Sequence, residues 1–130
     1  MPTHIRILIK HIEKMEGKFF LVSEGDKIFR IPFNEISHFT ARRSLTIVNT
    51  KEKQYVHGNN IGNIKKEIGG NGNFTQTHKS YLLNMNYVIC FSKKGNGFVV
   101  LKDGSKVPVA RRHKKSFLKR MNQNNITVGL

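Results

Sequence analysis

From Phe19 onward the chain is a succession of short apolar runs separated by turn residues. The runs are rich in β-branched and aromatic side chains, and glycine, asparagine and aspartate stand between them. Such residues fit a pleated, half-buried surface, and runs this short are typical of strands. Phe19–Val22 and Lys27–Ile31 flank the turn residues Glu24-Gly25-Asp26, which predicts a hairpin. The sequence therefore predicts a chain built mainly from short strands.

The same pattern predicts further strands downstream, at 36–40, 45–50, 53–57, 81–91, 98–101 and 105–109. Residues 41–44 connect the first two of these and carry two adjacent arginines, so their side chains are expected to lie in solvent. Asp103-Gly104 is typical of a two-residue hairpin turn before the last strand.

A helix is predicted where isoleucines are spaced three and four apart, at Ile61, Ile64 and Ile68. Asn59 or Asn60 is expected as its N-cap, and Gly69-Gly70 is expected to end it. The glycine-rich residues 69–73 follow this helix, whereas a phosphate-binding loop follows a strand and precedes a helix. We therefore interpret them as a linker.

A second helix is predicted from about Arg112 to Met121, with Phe117, Leu118 and Met121 on one side and basic residues on the other. Residues 1–18 fit either a helix or a strand. We expect an amphipathic helix there, which packs on the domain or links it to something else.

Basic residues outnumber acidic ones, most of all in the second half of the chain. The sequence has 23 lysines and arginines against 8 acids, a formal net charge of +15. From Lys102 to Arg120 the basic residues face a single acid, Asp103. Self-repulsion on this scale opposes a compact state, so a basic surface of this density usually binds a polyanion. The alternative is a lysine-rich face that is merely solvated.

Metal and disulfide chemistry find little support. The single cysteine, Cys90, excludes an internal disulfide and a cysteine-rich zinc site. Its apolar neighbours Ile89 and Phe91 predict a buried, unreactive thiol. The six histidines lack the spacing of zinc enzymes, and the acids are scattered. We predict no metal and no cofactor.

Enzymatic activity is not predicted either. His78 and Ser80 lie two residues apart and superficially resemble a base and a nucleophile, but no acid nearby could orient the histidine. No small-molecule substrate is expected. No apolar run approaches the roughly 20 residues of a membrane span, and the start of the chain lacks the features of a secretory signal. The chain is expected to be cytoplasmic.

Two motifs resemble those of one protein family. Residues 74–84, FTQTHKSYLLN, resemble the signature of LytTR DNA-binding domains, F-x-R-x-H-[RK]-S-[YF]-[LIV]-[VIL]-N. Residues 101–112, LKDGSKVPVARR, resemble the terminal hairpin of that family, and the order and spacing of the two segments match as well. The resemblance covers about residues 19–121. It implies a mostly β fold of about ten short strands in small antiparallel sheets, with one or two short helices.

The resemblance also implies how DNA is bound. Family members read the major groove with loops and strand ends, and the base-reading positions fall here on Arg43, Lys79 and Arg112. Arg42 is the alternative to Arg43 in the same loop. An arginine can bind guanine O6 and N7 at two points, whereas a lysine is a point charge that reads less sharply. Contacts to phosphate, or support for them, are expected from Arg42, His78, Ser80, Arg111, Lys114 and Lys115.

The sequence departs from the family pattern at two positions. Gln76 stands where the family usually has arginine, which removes a cation, and Ala110 stands where serine is common, which removes a hydroxyl donor. Both changes bear on affinity and on phosphate contacts rather than on the fold.

Three parts are expected along the chain: an N-terminal arm or linker at 1–18, a LytTR domain at 19–121, and a flexible tail at 122–130. Many family members carry the domain behind a receiver domain of about one hundred residues, for which this chain has no room. It is therefore expected to be a stand-alone regulator or the C-terminal portion of a longer one. A membrane inhibitor is a further possible partner, since stand-alone members are often held by one.

The leading hypothesis is a bacterial transcription regulator that binds specific double-stranded DNA, with two copies on paired direct repeats in promoters. One alternative is a nonspecific RNA- or DNA-binding protein, for which aromatic side chains presented for base stacking would be expected. Here phenylalanine and tyrosine fall inside the strand runs instead. The other alternative is a membrane-surface or protein-interaction adaptor that uses residues 1–18.

Overall fold

A computed structural model describes residues 19–123; the expected arm at 1–18, and all but the first two residues of the expected tail at 122–130, lie outside the described residues. The strands are β1 (Phe19–Glu24), β2 (Lys27–Pro32), β3 (Ile36–Arg42), β4 (Leu45–Thr50), β5 (Gln54–His57), β6 (Phe74–His78), β7 (Tyr81–Asn84), β8 (Val88–Ser92), β9 (Phe98–Leu101) and β10 (Lys106–Pro108). The α-helices are α1 (Ile61–Ile68) and α2 (Arg111–Gln123), and two 3₁₀ turns span Phe33–Glu35 and Met85–Tyr87. The predicted mostly β fold is confirmed.

The strands form three small antiparallel sheets. A central sheet has the order β5-β4-β3-β7-β6, a second has the order β10-β9-β8, and β1 pairs only with β2. The predicted hairpin at the start of the chain is confirmed, with Phe20 opposite Ile31.

Helix α1 covers one face of the central sheet. Asn60 caps it by accepting a hydrogen bond from the Asn63 backbone N–H at 2.9 Å, as predicted, and Gly69 ends it with a positive φ of 58°. The buried isoleucines at 61, 64 and 68 pack with Phe20, Phe39 and Val48 in the first core. Burying each of these side chains contributes about 1.5–3 kcal/mol.

The second core lies on the other side of β7. Leu83 packs there with Val99, Leu101, Val107 and Phe117, which come from β9, β10 and α2. Phe117 is only 1% exposed and fixes α2 against the rest of the domain. Leu118, predicted on the same face, is instead 42% exposed, because the next position on a helix is turned by about 100°.

The prediction of one continuous strand over 81–91 is wrong. The chain breaks after β7 at Asn84, whose side-chain oxygen accepts from the Asn86 backbone N–H at 2.9 Å and turns the backbone into the 3₁₀ segment. The same side chain donates to the Ile36 carbonyl at 3.0 Å. The two halves therefore become β7 and β8, in different sheets.

The prediction of a buried Cys90 is also wrong. The pairing of β8 with β9 shifts between Val88 and Cys90, so that β8 contains a bulge. The extra residue breaks the alternation of sides, and both Ile89 and the Cys90 thiol are exposed.

The hairpin between β9 and β10 is one residue longer than predicted. The Leu101 backbone N–H donates to the Ser105 carbonyl at 2.9 Å, which leaves Lys102, Asp103 and Gly104 in the connection. Gly104 has a φ of +86°, the conformation that three-residue hairpins require at their last position.

Candidate nucleic-acid interface

The turn between β3 and β4 carries the two adjacent arginines. Arg42 ends β3, and Arg43 and Ser44 form a two-residue turn before Leu45, which pairs with Arg42. Arg43 has a φ of +56°, and both arginine side chains are exposed. Two-residue turns of types I′ and II′ match the twist of antiparallel strands, and both have a positive φ at their first central residue. This explains why Arg43, although it is not a glycine, adopts a positive φ here.

The turn between β6 and β7 carries Lys79, which is exposed. His78 precedes it, and its Nδ1 accepts a hydrogen bond from the Ser80 backbone N–H at 3.1 Å. The contact between these two residues therefore uses the serine backbone rather than its hydroxyl, and it holds the turn closed. The Nε2–H of a neutral His78 remains as a donor.

The beginning of α2 is tied to the end of β6. The Ala110 backbone N–H donates to the Thr77 carbonyl at 2.7 Å, and the His113 N–H donates to the Ala110 carbonyl at 2.9 Å. Arg111 and Arg112 follow directly in the first turn of α2, and both are exposed.

These three segments meet at one end of the central sheet. The Ala41 backbone N–H donates to the Ser80 carbonyl at 2.8 Å, which sets the β3–β4 turn beside the β6–β7 turn. The spacing of neighbouring strands places two such hairpins about 10 Å apart. Backbone hydrogen bonds thus bring Arg43, Lys79 and Arg112, in that order, to this end of the sheet. The surface that these three residues form is called the basic edge.

The remaining basic residues of α2 differ in how far their charges reach solvent. Lys115 is exposed, whereas Lys114 is half-buried, with its stem near Gly97 in the β8–β9 connection. Arg120 does not belong to the basic surface. It donates to the Phe74 carbonyl at 2.8 Å, to Thr75 Oγ1 at 2.6 Å and to Asn73 Oδ1 at 2.7 Å, and so holds α2 against β6.

The basic edge carries little compensating charge. Within residues 19–123 the single ion pair joins Lys53 and Glu24 at 3.2 Å, which is not part of this edge. Burial lowers the pKa of His113 below its usual range, and the nearby charges of Arg112, Lys65 and His78 lower it further. The part of this lowering that comes from the neighbouring cations indicates a positive potential at the start of α2.

Lys65 is a functional candidate that only the structure reveals. This residue lies in the last turn of α1, and its Nζ donates to Gln76 Oε1 at 2.8 Å. The family usually has arginine at the position of Gln76. In this chain the cation at that place comes instead from Lys65 of α1. No local motif pointed to Lys65, because only the packing of α1 on the central sheet brings it there.

Within 19–123 no group of three or more histidines, cysteines and acids lies close enough to hold a metal ion. None of the helices over this range is long and apolar enough to cross a membrane.

Small antiparallel sheets that present basic turns together form a surface suited to binding nucleic acid. A family model described as the LytTr DNA-binding domain matches residues 26–122. The chain belongs to this family of DNA-binding domains of transcription regulators, and the resemblance found in its motifs is confirmed.

A solved structure agrees with this assignment. The chain is similar to the LytTr DNA-binding domain of a response regulator from Bacillus cereus, with a TM-score of 0.70 and 19% sequence identity. The match covers 80% of this chain and 96% of that one. At this level of identity the likeness establishes the fold. Comparison with curated protein sequences gives no match.

Proposed function

We propose that this protein is a transcription regulator that binds specific double-stranded DNA through the edge carrying Arg43, Lys79 and Arg112. The observation that carries the proposal is the meeting of their three turns, held by the Ala41–Ser80 and Ala110–Thr77 backbone hydrogen bonds. Two turns about 10 Å apart, with the start of α2 beside the second, suit successive positions in a major groove about 12 Å wide.

Each of the three residues has a role in reading bases. Arg43 and Arg112 present guanidinium groups that can bind guanine O6 and N7 together, a contact that discriminates by about 1–3 kcal/mol against a wrong base. Lys79, between them, contributes a single donor group with weaker discrimination.

A second set of residues contacts phosphates and fixes the register of the protein on the duplex. This set comprises Arg42, Arg111 and Lys115, which are exposed, together with Ser80, Lys114 and His78. His78 donates from Nε2, since its Nδ1 is already bonded to the backbone.

The proposed targets are paired direct repeats in promoters, each bound by one copy of the chain, and the place of action is the cytoplasm. A purely nonspecific mode of binding by base stacking is less well supported. The exposed large apolar side chains of the described residues are all aliphatic, so the aromatic rings over this range are at least half covered.

The proposal is tested by selecting bound fragments from random duplex DNA with the full chain and sequencing them. Enrichment of one motif, present as two repeats in the same orientation, is the expected result. An unenriched pool that is nevertheless retained on the protein would show nonspecific binding and overturn the proposal.

The same selection with Arg112→Ala identifies the base that this residue reads. One position of the motif should become degenerate, while the others keep their preference. On the wild-type motif the variant should lose about 1–3 kcal/mol of binding free energy. Equal weakening on the selected and on a scrambled duplex would remove Arg112 from the base-reading set.

A further inference from the structure

A groove of about 300 Å³ opens beside the Arg112 end of the basic edge. Lys65 of α1, Gln76 of β6, and His113 and Ser116 of α2 contribute to its lining. It lies between α1, β6 and α2, and neither Arg43, Lys79 nor Arg112 lines it.

The polar groups of the groove are set to receive an anion. The hydrogen bond from Lys65 Nζ occupies Gln76 Oε1 and leaves the Nε2 group of that amide as a donor. The Arg112 side chain donates to His113 Nε2 at 3.4 Å, so a neutral His113 carries its proton on Nδ1. The groove is therefore lined by one residue with an ammonium group and by two residues with N–H donors, and the charges of Arg112 and Lys65 act on His113 there.

The position of the groove relates it to the DNA. Gln76 lies three residues before Lys79, which is in the turn directly after β6, so Gln76 is set back from the tip of that turn by about 10 Å. Because the turn enters the groove tip first, this distance runs from the floor of the major groove, which is about 8.5 Å deep, towards its rim. A duplex whose bases meet Lys79 and Arg112 would thus carry a backbone phosphate past this point.

We infer that the groove between Lys65, Gln76 and His113 binds a phosphodiester of the same DNA duplex, at the rim of the major groove that the three turns enter. This inference rests on the proposed function. In this arrangement Lys65 supplies the cation that the family pattern places at position 76, and Gln76 orients it. The hydrogen bond itself stabilises the fold little, because both groups reach solvent.

The test compares Lys65→Met with Lys66→Met, using a duplex that the wild-type chain selects from a random pool. Both lysines are exposed in the last turn of α1, but only Lys65 lines the groove. Affinity is measured between 50 and 200 mM salt by fluorescence anisotropy. Lys65→Met should weaken binding about three- to tenfold and flatten the dependence of log K on log salt by about 0.9, the effect of one phosphate contact. Lys66→Met should change neither.

Duplexes that each carry one uncharged methylphosphonate linkage, at a different position in each, locate the contact. On one of them the wild-type chain should lose the affinity that the Lys65 substitution removes, and the two proteins should then bind equally. Equal effects of Lys65→Met and Lys66→Met, or a Lys65 effect that persists on every one of these duplexes, would overturn the inference while leaving the proposed function intact. If the wild-type chain selects no duplex, the proposed function fails and this inference fails with it.

Discussion

The backbone N–H of Ala41 donates to the carbonyl of Ser80 at 2.8 Å, and this bond joins two hairpins whose turns are far apart in sequence. Ala41 lies two residues before Arg43, and Ser80 directly follows Lys79. Because the bond continues the pairing of β3 with β7, the relative position of the two basic turns is set by the central sheet. Side-chain contacts between the turns are not needed to fix their relative position.

Replacing Arg43 with glycine separates its role in folding from its role on DNA. Arg43 has a φ of +56°, which costs a side chain energy but suits glycine. We expect Arg43→Gly to leave the free energy of unfolding unchanged or raise it by up to about 1 kcal/mol. Discrimination between the selected and a scrambled duplex should fall by about 1–3 kcal/mol.

Urea unfolding and binding titrations on both duplexes measure these two effects. Arg42→Gly serves as the comparison, since Arg42 pairs with Leu45 inside the strand and its substitution should destabilise the hairpin. Unchanged discrimination in a folded Arg43→Gly protein would assign base reading in this turn to Arg42.

Lys115→Ala should weaken binding to every sequence alike, because a phosphate contact carries no sequence information. The slope of log K against log salt should flatten by about one unit. The control is Lys51→Ala, an exposed lysine that follows β4 and so lies at the opposite end of that strand from the basic turns. A slope that Lys115→Ala leaves unchanged would remove Lys115 from the phosphate contacts.

Arg120→Met should destabilise the domain by about 2–4 kcal/mol. The substitution deletes three hydrogen bonds to residues 73–75 and leaves a backbone carbonyl and two side-chain oxygens without their charged donor. Its neighbour Lys119 is exposed, and Lys119→Met should stay within about 0.5 kcal/mol of the wild type. Denaturant unfolding monitored by circular dichroism compares the two. Equal stabilities would mean that the three hydrogen bonds of Arg120 do not help to hold α2.

The Cys90 thiol should react with a thiol reagent in the folded protein at the rate of an accessible cysteine, because it is exposed at the bulge of β8. Cys90→Ser should change the free energy of unfolding by less than about 0.5 kcal/mol and leave DNA binding intact. Protection of the thiol until denaturant is added would contradict the exposed position.

Stability should decrease as the pH falls below neutrality. Burial lowers the pKa of His38 below its usual value of 6.5, against a smaller opposing effect of the Asp103 charge, and burial also lowers that of His113. Below pH 6.5 these two histidines therefore bind protons more readily in the unfolded chain than in the folded chain, and unfolding becomes more favourable.

Urea unfolding at pH 7.5 and 5.5 measures this decrease. His38→Gln and His113→Gln should each make it smaller, because each removes one group whose pKa differs between the folded and unfolded states. A decrease that neither substitution reduces would have to come from other groups.

Much of the fold could be predicted from local patterns. Alternation and turn residues placed the first hairpin, and the spacing of Ile61, Ile64 and Ile68 with the Asn60 cap placed α1. The two motifs supplied the family, which the comparisons confirm. The failures at Asn84 and Cys90 have a common cause, since a side-chain-capped break and a bulge both interrupt strands whose composition continues unchanged.

The sequence alone determined the local features of the protein, namely its short strands, a capped helix, a basic C-terminal half and a family signature. These features depend on neighbours along the chain, which the sequence states directly. Only the tertiary structure decided that Arg120 is occupied inside the domain, whereas Lys65 reaches Gln76. In the sequence both residues are simply basic. Which of them can meet an anion depends on their partners, Thr75 for Arg120 and Gln76 for Lys65, which lie 45 and 11 residues away and are brought near by packing alone.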